Sequence, residues 1–251
     1  MFAEPWPAGV AKVALATVDS TNAEAARRAA DTLEPTWISA GEQTGGRGRR
    51  GRPWASPRGN FYGTLLLHPT EAPEVVALRS FVAALALYDA LVAITGLPQG
   101  FTLKWPNDVL LNHGKLAGIL LESLGQGDHV GHLAIGIGVN LISTPGASQL
   151  EQGAVPPVSL LTETGLRITP EAFLDVLAPA YARWEAVFVS EGFGPLRAVW
   201  LSRAARLGQV IRARTGTATR EGVFETIDAS GALVLRMPET TVAIPAAEVF
   251  F

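Results

Sequence analysis

The chain has 251 residues, of which 48% are apolar and 17% are charged, and its formal net charge is −3. That length and apolar content suffice for a large buried core, while the acidic balance argues against a general nucleic-acid-binding protein. The lack of cysteine excludes disulfides, thiolate metal sites and a cysteine nucleophile, and it is consistent with a cytoplasmic location. The sequence also shows neither a signal peptide nor an unbroken apolar segment long enough to span a membrane.

The first 100 residues alternate predicted strands and predicted helices. An Ala-rich segment at 19–33 predicts a helix, and Thr21 followed by Glu24 has the pattern of a capping box. The segment 73–96 predicts a second helix, which starts near a proline, ends at a glycine and is apolar nearly all round, so we expect it to be buried. Runs of apolar and β-branched residues predict strands at 11–18, 36–44 and 61–69.

The second half of the chain begins with a predicted β-region. Three strands are predicted within 101–141, with turns at 112–114 and 125–128. A long loop rich in Gly, Pro and Ser follows at 143–158, and such a length is typical of a functional or mobile segment. The next predicted elements are two helices, at 170–190 and 192–204.

These elements predict an α/β fold with two parts. We expect residues 1–206 to form a domain in which helices pack on a mixed, mainly antiparallel sheet, because the turns within 101–141 have hairpin length. Residues 207–251 contain short predicted strands joined by Gly-containing turns, so they predict a small C-terminal β module. A module of about 45 residues is close to the lower limit for independent stability, so we expect it to pack on the main domain.

The segment 45–52 reads GGRGRRGR and places four arginines and four glycines in eight positions. Glycines make such a loop costly to order, and the arginines repel one another, so we expect an anion to accompany ordering. A triphosphate or an acyl phosphate fits, since arginine supplies several donors and glycine lets backbone N–H groups approach, although no P-loop motif is present. The alternatives are a solvated surface loop and a loop that binds nucleic-acid phosphates. The second is disfavoured because no aromatic residues are interleaved for base stacking.

Three further motifs combine polar residues with chain breaks. The segment 104–122 contains Lys-Trp-Pro-Asn-Asp and then Gly-Lys, and it holds Lys104 and Lys115, two of only three lysines in a chain with seventeen arginines. Such residues are typical of a strand end that faces a ligand, but an ordinary Pro-Asn-Asp turn has the same pattern. The DSTN at 19–22 can cap a helix or receive a polar ligand group, and the GIGVN at 136–140 can reflect close sheet packing.

In this order and spacing, these motifs together resemble one family, the biotin protein ligases. The segments that carry the resemblance are DSTN, EQTGGRGRRGRPWASPRGNFY, LKWPNDVLLNHGKLAGILLE and IGIGVNL. They lie within residues 13–141, and the resemblance extends more loosely to the C-terminal β module, for which it implies an SH3-like β barrel. Many relatives have Arg-Lys-Trp where this chain has Arg-Pro-Trp, and Pro53 stiffens the exit of the loop.

The resemblance implies a two-step reaction that uses biotin, ATP and Mg²⁺. Biotin and MgATP give biotinyl-5′-AMP and pyrophosphate, and the biotinyl group then passes to a lysine of a biotin carboxyl carrier domain, usually that of acetyl-CoA carboxylase. Lys115 matches the active-site lysine, Arg49 matches an arginine that orders over the adenylate, and Asp108 is a candidate to orient or deprotonate the acceptor lysine. The implied biotin-binding residues are Ser20, Thr21, Asn22, Gln43, Arg47, Gly48, Arg49, Tyr62 and Lys115. The implied ATP-binding residues are Arg49, Arg52, Trp54, Asn107 and Asn140, and Mg²⁺ is expected to be held mainly by the ATP phosphates.

Two rival functions stay open beside this resemblance. A lipoate–protein ligase shares the catalytic architecture but normally lacks the Gly-Arg loop, and an RNA-binding module would use 45–52 as a basic grip. Some members of the family also carry an N-terminal DNA-binding domain, but only eighteen residues precede Asp19, so we expect no nucleic-acid partner. We also expect no membrane partner and either a monomer or a homodimer, with the strand 116–124 as a candidate pairing edge.

Overall fold

The computed structural model describes residues 4–126, 129–146, 155–216 and 218–251. Its main domain contains one mixed sheet, whose strands are β1 (Ala11–Leu15), β2 (Thr36–Ala40), β3 (Phe61–Leu67), β4 (Phe101–Lys104), β5 (Asp108–Leu111), β6 (Gly114–Gln126) and β7 (His129–Val139). Their order is β1-β2-β3-β7-β6-β5-β4. β1 and β2 run parallel because a helix connects them, and the other neighbours are antiparallel. The predicted mixed, mainly antiparallel sheet is confirmed.

The first helix, α1 (Thr21–Arg28), is shorter than predicted, and its cap differs from the prediction. Ser20 is the N-cap residue, with extended backbone and a side chain that accepts from the Ala23 N–H. The predicted Thr21–Glu24 capping box is wrong, because Thr21 is already helical and the Glu24 carboxylate accepts from Arg27 and Arg28 in the last turn. α1 thus points its N-terminal polar residues at the face of the sheet that carries the candidate site.

The opposite face of the sheet carries the main apolar core. The predicted helix 73–96 forms two helices, α2 (Pro73–Ala77) and α3 (Arg79–Thr95), and α3 buries ten of its side chains as expected. By length and composition the stretch Pro73–Thr95 is apolar enough to cross a membrane, but 67% of its most apolar window is buried inside the protein. A core helix packed on all sides has the same composition.

The remaining helices are α4 (Leu160–Thr164), α5 (Pro170–Glu191) and α6 (Phe193–Ser202). The last two confirm the predicted helices. α4 was not predicted, although it has a complete capping box at Ser159 and ends at Gly165 in the left-handed region. Part of the predicted loop at 143–158, residues 147–154, lies outside the described residues.

Three strands were expected within 101–141, but the structure has four there, β4 to β7. The first predicted strand is interrupted by a turn at residues 105–107, which follows the strand end expected at Trp105-Pro106 and contains a cis peptide bond there. The predicted turn at 112–114 is confirmed, and Asn112 and His113 adopt the positive φ values of 47° and 69° that a two-residue hairpin turn requires. The predicted turn at 125–128 includes residues 127 and 128, which lie outside the described residues.

The C-terminal module is a five-stranded antiparallel sheet. Its strands are β8 (Val210–Arg214), β9 (Thr219–Ile227), β10 (Leu233–Arg236), β11 (Thr241–Ile244) and β12 (Glu248–Phe250), in the order β11-β10-β9-β8-β12. The module packs on the main domain as expected, because the Trp105 indole donates to the Gly231 carbonyl at 3.0 Å and the two parts share one apolar core. β12 therefore lies beside the turn that joins β4 to β5.

Arg79 at the start of α3 links this helix to α5 and to the segment before α2. It is 4% exposed, its guanidinium lies 2.7 Å from Glu71 Oε1 and 2.8 Å from Glu185 Oε1, and it stacks over Phe188 at 5.2 Å. We expect Arg79→Met to lower the free energy of unfolding by about 2–4 kcal/mol, because it leaves two partly buried carboxylates without their cation. Urea unfolding measures the change. Arg183→Met, which removes an exposed pair with Glu4, is the control and should change stability by less than about 1 kcal/mol.

Candidate active site

One row of cross-strand neighbours on the face of the sheet that carries α1 contains Tyr62, Gly138, Gly118, Asp108 and Lys104, each directly opposite the next on β3, β7, β6, β5 and β4. All but Tyr62 line the floor of a cavity. Gly138 and Gly118 have no side chain, so the floor is low at the centre of this row. The Trp54 indole fills the space above them: a Cβ at Gly138 would lie 2.6 Å from Trp54 Nε1.

The cavity has a volume of about 480 Å³ and is bounded by the sheet, the Gly-Arg loop, the N-terminus of α1 and β12. All but one of the site residues that the sequence predicted line it together: Ser20, Thr21, Asn22, Gln43, Arg47, Gly48, Arg49, Arg52, Trp54, Asn107, Asp108, Lys115 and Asn140. These residues come from segments that are up to 120 positions apart in the chain. The fold therefore brings the separate motifs to one place.

One end of the cavity is a network of amide and hydroxyl groups. The Gln43 side-chain carbonyl accepts from the Thr21 N–H at 2.8 Å and lies 3.1 Å from the Thr21 hydroxyl. Thr64 on β3 is fully buried, and its hydroxyl lies 2.8 Å from Thr21 Oγ1 and 2.6 Å from Asn22 Oδ1. The Asn22 side chain also requires Gly136, where a Cβ would lie 2.3 Å from Asn22 Oδ1. This end is a fixed set of donors and acceptors suited to a small polar head group.

The centre of the cavity holds a carboxylate between two lysines. Lys115 Nζ lies 2.8 Å from Asp108 Oδ1 and 5.4 Å above the Trp54 ring, and Lys104 Nζ lies 3.8 Å from Asp108 Oδ2. Lys104 and Asp108 are each 9% exposed. Burial lowers the pKa of Lys104, and the nearby Asp108 carboxylate opposes that shift.

The Gly-Arg loop covers the cavity as a tight hairpin. The backbone N–H of Gly48 donates to the Arg52 carbonyl at 2.7 Å, and the backbone N–H of Trp54 donates to the Gly46 carbonyl at 2.9 Å. A short 3₁₀ turn spans Arg49–Gly51. Within that turn Arg50 has a φ of 58° and Gly51 a φ of 71°. The loop therefore presents its arginines from a defined backbone, not from an irregular coil.

Carboxylates hold the arginines of this loop. The Arg47 guanidinium makes two contacts of 3.1 Å with the two oxygens of Glu122, which also accepts from Asn22 at 2.7 Å. The Arg49 guanidinium donates to Asn107 Oδ1 at 3.4 Å. Burial lowers the pKa of Arg49.

Glu248 and Ala247 connect this loop to the C-terminal module. The Glu248 carboxylate lies 3.0 Å from Arg50, 2.5 Å from Arg214 and also against Arg52, and its side chain is 12% exposed. Burial alone would raise the pKa of Glu248, but hydrogen bonds and charges from these arginines lower it. The Arg49 guanidinium also donates to the Ala247 carbonyl at 3.4 Å, so the Gly-Arg loop is tied to the C-terminal module by a carboxylate and a backbone carbonyl.

Comparison with known proteins decides the family. Residues 14–140 match the Biotin/lipoate A/B protein ligase family, and residues 207–251 match the Biotin protein ligase C terminal domain. A curated Biotin--[acetyl-CoA-carboxylase] ligase of Paracoccus denitrificans is 58% identical over 237 residues, which cover 94% of this chain and 99% of the relative. The chain belongs to the biotin protein ligase family.

Solved structures and a more distant relative agree with this membership. A biotin protein ligase from Aquifex aeolicus in complex with biotin and ATP has a TM-score of 0.81 and 27% sequence identity, over 95% of this chain and 97% of that chain. The bifunctional ligase/repressor BirA of Bacillus subtilis is 31% identical over 217 residues, which cover 86% of this chain and 66% of the relative. The resemblance inferred from the motifs is confirmed, and so is the α/β fold that it implied.

One predicted contact of this biotin protein ligase differs from the structure. Tyr62 belongs to the same row as Gly138, but it is 1% exposed and does not line the cavity. Its hydroxyl donates to the Pro57 carbonyl at 2.8 Å, and burial raises its pKa. The predicted biotin contact at Tyr62 is therefore replaced by a structural role beneath the segment that follows the Gly-Arg loop.

The polar residues at the site that were not among the predicted site residues include Thr64, Lys104, Glu122 and Glu248. Three of them contact a predicted residue from a distant part of the chain, which no local pattern records. Lys104 is the exception, because its place in the Lys-Trp-Pro-Asn-Asp segment and the scarcity of lysine both draw attention to it. The sequence therefore singles out Lys104 but does not indicate what it does.

We expect Gly138→Ala to lower the free energy of unfolding by about 1–3 kcal/mol, because the new methyl group overlaps the Trp54 ring. Three ring atoms of Trp54 lie within 2.9 Å of the position that the Cβ would take. Urea unfolding is the measurement, and Gly194→Ala is the matched control. A Cβ at Gly194 meets nothing within 4 Å, and this residue lies in α6, where alanine favours the helix. Equal stability of the two variants would contradict the close packing of the Trp54 ring on Gly138.

Proposed function

We propose that the chain is an ATP-dependent biotin–protein ligase. It activates biotin with MgATP to give biotinyl-5′-AMP and pyrophosphate, and it then transfers the biotinyl group to a lysine of a biotin carboxyl carrier domain. The observation that carries the proposal is one cavity that combines a polar head-group pocket, a lysine–carboxylate centre and an arginine loop. The high identity to a biotin--[acetyl-CoA-carboxylase] ligase supports it and suggests the carrier domain of acetyl-CoA carboxylase as the acceptor.

The polar end of the cavity is the proposed biotin head-group pocket. The ureido ring of biotin has one carbonyl and two N–H groups, so it needs both donors and acceptors at fixed positions. The hydroxyls of Ser20 and Thr21 and the side-chain amides of Asn22 and Gln43 supply both kinds of group. Their mutual hydrogen bonds fix them before the ligand arrives, so little side-chain entropy is lost on binding.

The first half-reaction is proposed to occur at Lys115. A biotin whose head lies in the polar pocket extends its carboxylate toward the centre of the cavity, where it attacks the α-phosphorus of ATP and expels pyrophosphate. The Lys115 ammonium binds the carboxylate and offsets the negative charge that develops during the attack. Arg47, Arg49 and Arg52 neutralise the phosphates.

The nucleotide is proposed to be framed by Trp54, Asn107 and Asn140, all of which line the cavity. The Trp54 ring, which packs on Gly138 and Gly118, is proposed to supply a flat apolar surface beside the nucleotide. We propose that Mg²⁺ enters bound to the ATP phosphates, as part of the substrate.

The second half-reaction is proposed to use Asp108. The acceptor lysine enters as an ammonium, gives up a proton and attacks the acyl carbon of biotinyl-5′-AMP, so that an amide bond forms and AMP leaves. Asp108 lies at the centre of the cavity, where its carboxylate can accept a hydrogen bond from that ammonium and receive its proton. The covering arginine loop keeps water from the mixed anhydride until the acceptor arrives.

Pyrophosphate release tests the proposal directly. The protein is mixed with MgATP and either biotin or lipoate, and the expected result is release with biotin and none above background with lipoate. Lipoate-dependent release alone would assign the chain to lipoate ligation, and release with neither substrate would refute the proposal. Mass measurement of an added biotin carboxyl carrier domain then tests the transfer step, for which a gain of one biotinyl group is expected.

A further inference from the structure

Lys104 occupies a place in the cavity that the proposed reaction leaves without a role. It is the last residue of β4 and lies directly opposite Asp108 on β5, so the two side chains share one face of the sheet. On the other side of Asp108 the cross-strand neighbour is Gly118, which has no side chain. Asp108 is thus held by Lys104 from one side and is open to the cavity and to Lys115 from the other.

The surroundings of Lys104 are mostly buried and contain charges from four elements. These groups are Asp108 on β5, Lys115 on β6, Arg49 in the loop and Glu248 on β12. The Phe251 ring lies 5.6 Å from Lys104 Nζ and covers it from the C-terminal side. Burying an ammonium is costly, and a protein with an apolar residue at such a place is often as stable as one with the buried ion pair. The retained charge therefore calls for an explanation other than packing.

The two lysines differ in what they are free to do. Lys115 is 29% exposed at its side chain and reaches across the cavity from the start of β6, so it can leave Asp108 to bind a substrate carboxylate. Lys104 is 10% exposed at its side chain and is fixed on β4 beneath Phe251. When Lys115 turns to the substrate, Lys104 stays beside Asp108, and the Arg49 guanidinium remains within electrostatic reach of this carboxylate.

We propose that Lys104 is a positioning residue for the transfer half-reaction, which keeps the Asp108 carboxylate facing the cavity while Lys115 is bound to the biotinyl group. This inference rests on the proposed function. A buried carboxylate with no cation beside it is costly, so without Lys104 the Asp108 side chain would turn toward other donors and away from the acceptor ammonium. Lys104 acts through Asp108 and makes no contact with the reacting atoms.

Separate measurement of the two half-reactions distinguishes this positioning role from a general contribution to folding or to both steps. We expect Lys104→Met to leave biotin-dependent pyrophosphate release within about threefold of wild type and to slow single-turnover transfer to a carrier domain about tenfold near pH 7. The loss follows from a base that is no longer held in line with the acceptor, because a small misplacement of a catalytic group lowers the rate by up to about 10²-fold. Lys104→Arg, which keeps the charge beside Asp108, should restore most of the wild-type transfer rate.

Hydroxylamine provides a second acceptor that does not need Asp108 as a base, because its nitrogen is largely unprotonated near neutral pH. The protein with preformed biotinyl-5′-AMP is mixed with hydroxylamine, and Lys104→Met is expected to react at the wild-type rate. The exposed lysine variant Lys12→Met is the matched control and should match wild type in every assay, since Lys12 pairs with Asp175 outside the cavity.

Two results would overturn the inference. One is a wild-type rate of transfer by Lys104→Met, and the other is an equal loss in both half-reactions and with hydroxylamine, which would show a structural role. The proposed function fails differently, because wild type itself would then release no pyrophosphate with biotin, and this outcome would overturn the inference as well. If wild type is active and Lys104→Met transfers biotin at the same rate, only the role given to Lys104 has failed.

Discussion

Replacing Lys115 with methionine is expected to lower biotin-dependent pyrophosphate release by about 10²–10³-fold, the size of effect seen when one preorganised charge donor is removed from a reaction centre. The Lys115 ammonium lies beside Asp108 and above the Trp54 ring, at the centre of the cavity. Methionine keeps a long side chain that can pack on Trp54, so the substitution removes the charge and the donors with little change in shape. The loss should therefore fall on the rate more than on stability.

Steady-state pyrophosphate release and calorimetric binding of biotin separate the two possible effects of this change. We expect the rate to fall much further than the affinity for biotin, because the head-group pocket is formed by other residues. Lys12→Met serves again as the lysine control on the surface. A Lys115→Met protein that works within threefold of the wild-type rate would remove Lys115 from the mechanism.

The sequence identified the site because each motif lies where a strand or helix begins or ends. Asp108 opens β5, Lys115 lies at the start of β6, and Ser20 caps α1. Glycines in two motifs mark the floor of the cavity, since Gly138 and Gly118 lie opposite each other and leave room for Trp54. Local patterns of this kind predict which residues face a ligand, and the family resemblance supplies the chemistry.

Contacts between distant segments were beyond the reach of those patterns. Thr21 was assigned to a capping box because Glu24 follows it, but its hydroxyl and N–H contact Gln43, 22 positions away. Tyr62 lies in the correct row of the sheet, yet the Pro57 carbonyl takes its hydroxyl and the cavity does not reach it. In each case a tertiary hydrogen bond decides the position of a side chain whose local sequence permits another.

The contact of Glu248 with the Gly-Arg loop is the longest-range example of a contact that local sequence patterns do not predict. It lies about 200 positions from the Gly-Arg loop, in a module whose short strands give no sign of a link to the site. The structure places its carboxylate among Arg50, Arg52 and Arg214, so the charge that offsets the loop arginines comes from the C-terminal module. This contact explains how a small β module can influence the chemistry of the main domain.

Glu248→Lys is accordingly expected to be one of the most damaging single changes in the C-terminal module. The substitution removes the carboxylate shared by three arginines and adds a fourth cation, so we expect the free energy of unfolding to fall by about 2–4 kcal/mol. Arg52, which lines the cavity, then loses its ion pair with Glu248. Because Arg52 is a proposed phosphate ligand, the KM for MgATP should rise at least about tenfold.

A matched charge reversal on the same module tests whether this effect belongs to the contact. Glu239→Lys changes the net charge equally at an exposed position, and it should leave both stability and the KM for MgATP close to wild type. Glu248→Gln removes the charge without adding another, so it should fall between wild type and Glu248→Lys in both measurements. If the two lysine variants behave alike, the link between β12 and the Gly-Arg loop does not control nucleotide binding. A loss confined to Glu248→Lys and Glu248→Gln means that the C-terminal module holds the loop arginines in the positions from which they bind the phosphates of ATP.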